Sequence, residues 1–292
     1  MLKIIFGAVL TALLGTALAA TAQTAVPAEP HLQAAQTESD RANALFDEIF
    51  ERKVARDPVY QTYLGLKTNY GKWSDLSEAG QAANLAHRQA DLKLLQDIDT
   101  EQLKAETLVS YNLLEQKLLE EIEDYKWRHH NYPVNQMFGE HARIPAFLIN
   151  QHTISNVSEA EAYISRLNGV HQRLQQVIDQ LTIREKEGVI APSFVLPHVL
   201  RDSSNLLVGA PFDGGEPSTL MIDFSSKVAK LDIPALEKAR LNEEARLALL
   251  NSFQPGYQGL ISYLESLQSK TTADAGVWKF PAGEDYYNIR LN

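Results

Sequence analysis

The chain has 292 residues, of which 45% are hydrophobic and 22% are charged, and its formal net charge is −10 at pH 7. This length and apolar content suffice for one large domain or two small ones with a buried core. The negative charge argues against a nucleic-acid partner, because binding phosphates requires a basic surface. The absence of cysteine excludes disulfides, thiol catalysis and thiolate metal sites.

Residues 1–22 have the pattern of a secretory signal peptide. Lys3 supplies one positive charge, an uncharged run extends from Ile4 to Ala22, and small residues close the run. We predict cleavage after Ala22. A membrane anchor is the alternative, but the run is only marginally long for a membrane span, and its second half is rich in Ala and Thr. The mature protein is therefore expected in the periplasm or outside the cell, with no membrane attachment after the signal is removed.

Residues 23–38 are polar, rich in Pro and Ala and without periodicity, which predicts a flexible leader. From residue 39 to residue 292, apolar side chains recur at helical spacing, which predicts one helical domain. We expect Asp40 to cap its first helix. Two further helices are predicted over about 77–98 and from about residue 100 onward.

The clearest helical pattern starts at Ser158, which forms the S-x-x-E spacing of a capping box with Glu161. The pattern predicts one helix that continues until Gly188 ends it. A following helix is predicted from Pro192, with a kink or break at Pro197.

Two or three more helices are predicted over residues 219–269, with an interruption around Gln254-Pro255-Gly256. We find no convincing alternating strand pattern and no internal repeat. The predicted fold class is therefore all-α, with antiparallel helix pairs around one elongated core and few or no strands.

The sequence lacks the common catalytic signatures. It contains no H-E-x-x-H, no G-x-S-x-G, no phosphate-binding G-x-x-x-x-G-K-[ST] and no G-x-G-x-x-G. We therefore assign no catalytic residue and no metal ligand to this chain.

Residues 129–152 contain the main polar constellation of the chain. Its imidazole and carboxylate groups are of the kind that zinc takes. No two of its histidines lie four residues apart, so a metal site would require the loop to fold back on itself. We favour the interpretation that these groups anchor the loop through hydrogen bonds. The members are His129, His130, Glu140, His141 and His152.

Four residues of this segment are candidates to face a substrate. Asn135 and Gln136 lie between two turn formers, where such side chains usually brace the backbone, and bracing is the favoured interpretation. Glu140 and His141 follow directly after the glycine of the same loop.

Four segments in order resemble the bacterial family known as domain of unknown function 885, from about Asp40 to Asn292. They are "ARDPVYQTYLGL", "YPVNQMFGEHARIPAFL", "EAYISRLNGVHQRLQQVIDQLTIREKEGVIAP" and "PAGEDYY". The resemblance implies a relationship to helical zinc metallopeptidases of the H-E-x-x-H type, whose metal motif belongs to the C-terminal half. The resemblance covers only the N-terminal half, so zinc is expected in the C-terminal half that this sequence lacks. No residue of this chain matches a zinc ligand of the family.

The resemblance further implies that this chain is the N-terminal, substrate-cleft half of a larger domain. Its expected partners are a peptide substrate and a complementary C-terminal half, and we expect it to be inactive alone. The closing "GEDYYNIRLN" has the pattern of a helix start, and we expect apolar surface to be exposed there. The alternative is a non-catalytic periplasmic helical protein for binding or interaction.

Overall fold

The computed structural model describes residues 37–291, and this part of the chain consists of helices and connecting loops. Its only β-type pairings are isolated bridges, of Val134 with Gly139 and of Ala210 with Pro217. The predicted all-α class is confirmed. The described part of the chain has twelve α-helices: α1 (Glu38–Ala55), α2 (Pro58–Tyr63), α3 (Glu78–Gln96), α4 (Ala105–Glu123), α5 (Glu140–Asn150), α6 (Val157–Asn168), α7 (Val170–Lys186), α8 (Val195–Asn205), α9 (Thr219–Ala229), α10 (Ala235–Ala248), α11 (Gln254–Leu267) and α12 (Gly283–Leu291).

The predicted signal peptide, residues 1–22, and all of the predicted leader up to residue 36 lie outside the described residues. Within residues 37–291, no helix combines the length and the apolar character that a membrane crossing requires.

Helix α1 begins at Glu38, inside the segment that we predicted as leader, and Asp40 does not cap it. Thr37 is the cap: its Oγ1 accepts a hydrogen bond from the Asp40 N–H at 3.2 Å, and Oδ2 of Asp40 accepts from the Thr37 N–H at 3.1 Å. This reciprocal pair satisfies two N–H groups that the helix itself leaves free. Asp40 is therefore the inner member of a capping box rather than its start.

The capping box predicted for Ser158 and Glu161 is also wrong. Helix α6 begins one residue earlier, and Asn156 caps it by accepting from the Glu159 N–H at 3.0 Å. Asn is a strong cap because its short side chain reaches the first free N–H groups of a helix.

The single helix predicted up to Gly188 is two helices, α6 and α7, which meet at Gly169. Ser252 interrupts the backbone ladder there: its hydroxyl donates to the Asn168 carbonyl at 2.7 Å and accepts from the His171 N–H at 3.1 Å. Inserting a side chain into the ladder is a common cause of a helix break. The predicted end of α7 is confirmed, because Gly188 follows it at φ +79°.

Two proline predictions are corrected. Helix α8 begins at Val195 rather than at Pro192, and Pro197 lies in its first turn. A missing N–H costs little there, since the first N–H groups of a helix have no partner within the helix. Similarly, α11 begins at Gln254 with Pro255 in its first turn, directly after a π-helical segment, Leu249–Phe253. The interruption predicted around Gln254-Pro255-Gly256 is therefore not a loop: the chain passes directly from α-helix through a π-helical turn into α11.

The predicted single elongated core is two hydrophobic clusters. The smaller cluster is formed by α1, α3 and α4 with the short connection after α3, and includes Ala42, Leu95 and Tyr111. The main cluster is formed by α5 to α11 together with Val134. The segment 124–139 therefore leads from a helix of the smaller core to a helix of the main core.

Helix α12 packs on that connecting segment. The Tyr286 ring lies 5.7 Å from the ring of Trp127, and Arg290 forms an ion pair with Asp124 at 2.8 Å. The predicted helix start after Pro281 is confirmed. Only Gly283 of α12 is buried, whereas Leu291 is 66% exposed.

Candidate functional site

A groove of about 510 Å³ runs beside the segment 128–140. Helix α7 forms one wall, the start of α5 and its preceding turn form the other, and the chain around the start of α3 closes one end. The lining residues are Leu76, Gln81, Arg128, Asn131, Tyr132, Pro133, Asn135, Phe138, Gly139, Glu140, Arg143, Val177, Gln180 and Arg184. Asn135 and Glu140 are the two predicted candidates that line it.

A tight turn over residues 134–139 shapes the rim. Oδ1 of Asn135 accepts from the N–H groups of Met137 and Phe138 at 2.9 and 2.7 Å, and the Asn135 N–H donates to the Phe138 carbonyl at 2.8 Å. The favoured bracing role of Asn135 is confirmed. Gln136 is exposed at the tip of the turn and is absent from the groove lining.

Gly139 closes the turn at φ +142°, a conformation that side chains disfavour. A Cβ at this position would lie 2.7 Å from Cα of Val134 and 2.8 Å from the Pro133 carbonyl oxygen. The turn therefore requires glycine on both conformational and steric grounds. It places Phe138, which is 65% exposed, at the rim of the groove.

Glu140 is buried and paired, so it is not a free general base. Its Oε2 accepts from Nε of Arg173 at 2.8 Å, and its Oε1 accepts from Nη1 of Arg143 at 3.0 Å. Both carboxylate oxygens thus face guanidinium groups. This pairing fixes the first turn of α5 against α7.

His141, which was predicted as a candidate to face a substrate, does not line the groove. The side chain is 3% exposed, and its Nδ1 has no hydrogen-bond partner. Burial lowers the pKa of His141, with Asp202 and Glu140 acting in the opposite direction. Because Pro145 has no N–H to donate to the His141 carbonyl, that oxygen is free, and it accepts from the Tyr257 hydroxyl at 2.7 Å.

Arg184 forms a buried part of the groove wall. Its Nη2 donates to the Arg128 carbonyl at 2.7 Å, its Nε to the Asn131 carbonyl at 3.0 Å, and its Nη1 to Oε1 of Gln180 at 2.8 Å. All of these acceptors are neutral oxygens. Burial lowers the pKa of Arg184 to about 10, so the group remains cationic at neutral pH.

Glu78 ties the beginning of α3 to the same wall. It accepts from Arg128, from Gln180 at 2.9 Å, and from Nε2 of His129 at 2.9 Å. Burial raises the pKa of Glu78, but the hydrogen bonds from His129, Gln180 and Arg128 outweigh it and lower the pKa to about 2. The carboxylate is therefore ionised at all physiological pH values.

The groove is basic although the chain is acidic. Its lining contains Arg128, Arg143 and Arg184 but only one acidic residue, Glu140. These arginines were not among the residues predicted from the sequence. A signal was present: Arg173, Gln180 and Arg184 lie on the same helical face as the core residue Val177. Polar groups on a buried face require partners.

The candidates for a metal site have separate partners. Nδ1 of His129 contacts Glu187 at 3.0 Å, Nε2 of His130 donates to the Pro281 carbonyl at 2.8 Å, and Nδ1 of His152 accepts from Arg166 at 2.9 Å. Within residues 37–291, no group of three or more His, Asp or Glu side chains is arranged to hold a metal ion.

Residues 58–292 match the model of a family described as "Bacterial protein of unknown function (DUF885)". The fold is similar to a crystal structure described as "the putative lipoprotein from Colwellia psychrerythraea", with a TM-score of 0.74, 17% identity, and coverage of 88% of this chain and 46% of that one. It is also similar to "a putative lipoprotein of unknown function from Shewanella oneidensis", with a TM-score of 0.52, 17% identity and coverage of 80% and 38%.

Both likenesses show a shared fold, and this chain spans less than half the length of each of these two proteins. No match is found among the curated proteins.

Proposed function

The chain belongs to the bacterial DUF885 family, and we propose that it binds peptides in the groove beside residues 128–140. In this proposal it is the N-terminal, substrate-binding half of a longer, exported zinc metallopeptidase-like protein. This chain matches 46% and 38% of the lengths of the two similar structures, which supports the proposal that a C-terminal half completes it. The lipoprotein descriptions of these structures and the signal-like residues 1–22 support an extracytoplasmic location.

The groove itself carries the proposal. A volume of about 510 Å³ accommodates a few peptide residues. Asn131 is exposed and can donate to a peptide backbone through Nδ2, and Gln81 can accept through Oε1, whereas Gln180 is buried and bonded to Glu78 and Arg184. Phe138 at the rim, which is 65% exposed, offers apolar contact to its side chains.

The residues that line the groove do not fit zinc. Zinc is bound in proteins by Cys, His, Asp and Glu side chains, and Glu140 is the one such residue in the lining. Both of its carboxylate oxygens face arginines. The proposal therefore assigns binding to this chain and derives no bond-breaking step from it.

Peptide binding and cleavage by the full chain test this proposal. Fluorescence anisotropy with labelled peptides of mixed sequence should detect binding, and mass spectrometry of the same samples should find the peptides intact. Phe138→Ser should weaken binding by about fivefold, because an apolar rim contact is lost. Phe194→Ser is the matched control, since Phe194 is 50% exposed but does not line the groove. Failure of every peptide to bind, or equal effects of the two substitutions, would contradict the proposal.

A second candidate is a self-sufficient helical binding protein without a catalytic half. The closed main core favours it, because Tyr163, Phe224, Phe253 and Tyr257 are all almost completely buried. Thermal unfolding in the presence of a dye that binds apolar surface discriminates between the candidates. A cooperative transition of a monomer without dye binding supports the self-sufficient protein. Aggregation, or dye binding below the transition, supports the substrate-binding half.

A further inference from the structure

We infer that the groove selects its ligand by a carboxylate group, and that Arg143 is the residue that binds it. This inference rests on the proposed function, since it names the chemical class of peptide that the groove takes.

Arg143 has free hydrogen-bonding capacity that faces solvent. Its side chain is 58% exposed in the first turns of α5 and lines the groove. Nη1 donates to Oε1 of Glu140 at 3.0 Å. Among the described residues, Nε and Nη2 of Arg143 have no acceptor. A guanidinium presents these two N–H groups side by side, in the geometry that matches both oxygens of a carboxylate.

Glu140 does not neutralise Arg143 by itself. The same carboxylate is bound by Arg173, whose Nη2 lies 2.7 Å from Oε2 and whose Nε lies 2.8 Å from it. One negative charge is thus shared by two guanidinium groups. The local excess is positive, and it lies at the mouth of the groove.

The other arginines of the lining add to this field. Arg184 is 4% exposed, and its hydrogen bonds go to neutral oxygens only. Arg128 is paired with Glu78, but Glu78 is also bound by His129. Glu78 and Glu187 act on Arg184 through space without hydrogen-bonding to it, so they offset only part of its attraction for an anion, and the protein screens charge less than water does.

A peptide offers a carboxylate at its C-terminus or in an Asp or Glu side chain. Both sources present the same planar pair of oxygens, so Arg143 can bind either. A lysine-bearing peptide meets the positive field with a like charge and should bind less tightly.

Four labelled peptides with one common neutral sequence distinguish a C-terminal carboxylate from a side-chain carboxylate and from peptides without either. Their binding to the full chain is measured by fluorescence anisotropy. One has a free C-terminus, one is amidated, one is amidated with a single Glu, and one is amidated with a single Lys. We expect the two carboxylate peptides to bind about tenfold more tightly than the neutral amidated peptide, as for one charge-assisted contact. Higher salt should reduce the difference.

Arg143→Ala should remove this preference, measured within the variant as the ratio of its affinities for the carboxylate peptides and for the neutral amidated peptide. Arg246→Ala is the matched control, because Arg246 also pairs with a glutamate three residues before it, Glu243, and lies on α10 outside the groove. Preference for only one carboxylate peptide identifies the source and still supports the inference.

Equal binding of all four peptides, or a preference that persists in Arg143→Ala, overturns the inference and leaves the proposed function intact. Absence of binding by every peptide overturns both. The comparison of the four peptides with the wild-type chain tests the carboxylate preference independently of whether the variant folds.

Discussion

Nη1 of Arg166 donates a hydrogen bond to Nδ1 of His152 at 2.9 Å in the interior, where both side chains are fully buried. Nε2 of His152 lies 3.0 Å from the Glu159 carbonyl, which can only accept, so Nε2 carries the hydrogen. The imidazole is therefore neutral, with both nitrogens satisfied. Protonation of Nδ1 would place its N–H group opposite the N–H group of Arg166, so the hydrogen bond between them would be lost.

His152 should make the stability of the protein depend on pH. Burial and then the charge of Arg166 lower its pKa from 6.5 to about 3. Between these values the unfolded chain binds a proton that the folded chain does not, so the free energy of unfolding falls as the pH falls. The slope from this one group is about 1.4 kcal/mol per pH unit. Urea unfolding at several pH values measures it.

His152→Asn provides the comparison, because an amide can accept from Arg166 and donate to Glu159 without titrating. The variant should show a smaller decrease in the free energy of unfolding between about pH 6.5 and 5 than the wild type. Equal slopes would show that His152 is not held neutral.

Arg166 should be a strong contributor to stability. Besides His152, it donates to the Lys72 carbonyl at 3.1 Å and to Oγ1 of Thr62 at 2.7 Å, and it lies 4.7 Å from the centre of the Phe147 ring. Arg166→Ala should lower the free energy of unfolding by about 3 kcal/mol, since buried acceptors lose their donors and a cavity remains. Arg246→Ala should change it by no more than about 0.5 kcal/mol. Similar effects in urea unfolding would contradict this role.

The helical class and several boundaries could be predicted because they depend on local sequence. Apolar spacing predicted α3 to within two residues, and Gly188 marked the end of α7. The break at Gly169 could not be predicted, because Ser252, which interrupts the ladder, lies more than 80 residues away in the sequence.

The candidate site was predicted only in part for the same reason. The turn around Asn135 is local, and its bracing role followed from the residue types. Arg143 and Gln180 lie within one turn of Glu140 and Arg184 on the same helices. The other partners, Arg173, Arg128 and Asn131, come from other elements, so sequence spacing does not show them. Only the position of Arg184 on the buried face of α7 indicated that it would be paired.

Gly139 should tolerate no side chain. Gly139→Ala should lower the free energy of unfolding by about 2–3 kcal/mol, because it adds a backbone clash to an unfavourable φ. Gly188→Ala separates the two effects, since Gly188 also has a positive φ, +79°, but nothing lies within 4 Å of a Cβ there. It should cost about 1 kcal/mol. Equal costs in urea unfolding would show that the close approach of Val134 and Pro133 is unimportant.

Asn135 should keep the rim of the groove rigid. Asn135→Ala removes the acceptor for the N–H groups of Met137 and Phe138, so hydrogen exchange at these two amides should accelerate by about tenfold. Asn135→Asp keeps an acceptor oxygen and should preserve their protection. Rapid exchange in the wild type would argue against a braced turn.

The location of a bound peptide tests the central claim most directly. A second cavity of about 540 Å³ lies among α1, α3 and α4, lined by groups that include Phe46, Arg56 and Asp91. A peptide with a photoreactive benzophenone, crosslinked to the full chain and mapped by mass spectrometry, distinguishes the two places. We predict crosslinks to residues 128–143 and to α7, suppressed by excess unlabelled peptide. Crosslinks confined to α1, α3 and α4, or spread over the surface without competition, would contradict the assignment of the groove as the binding site.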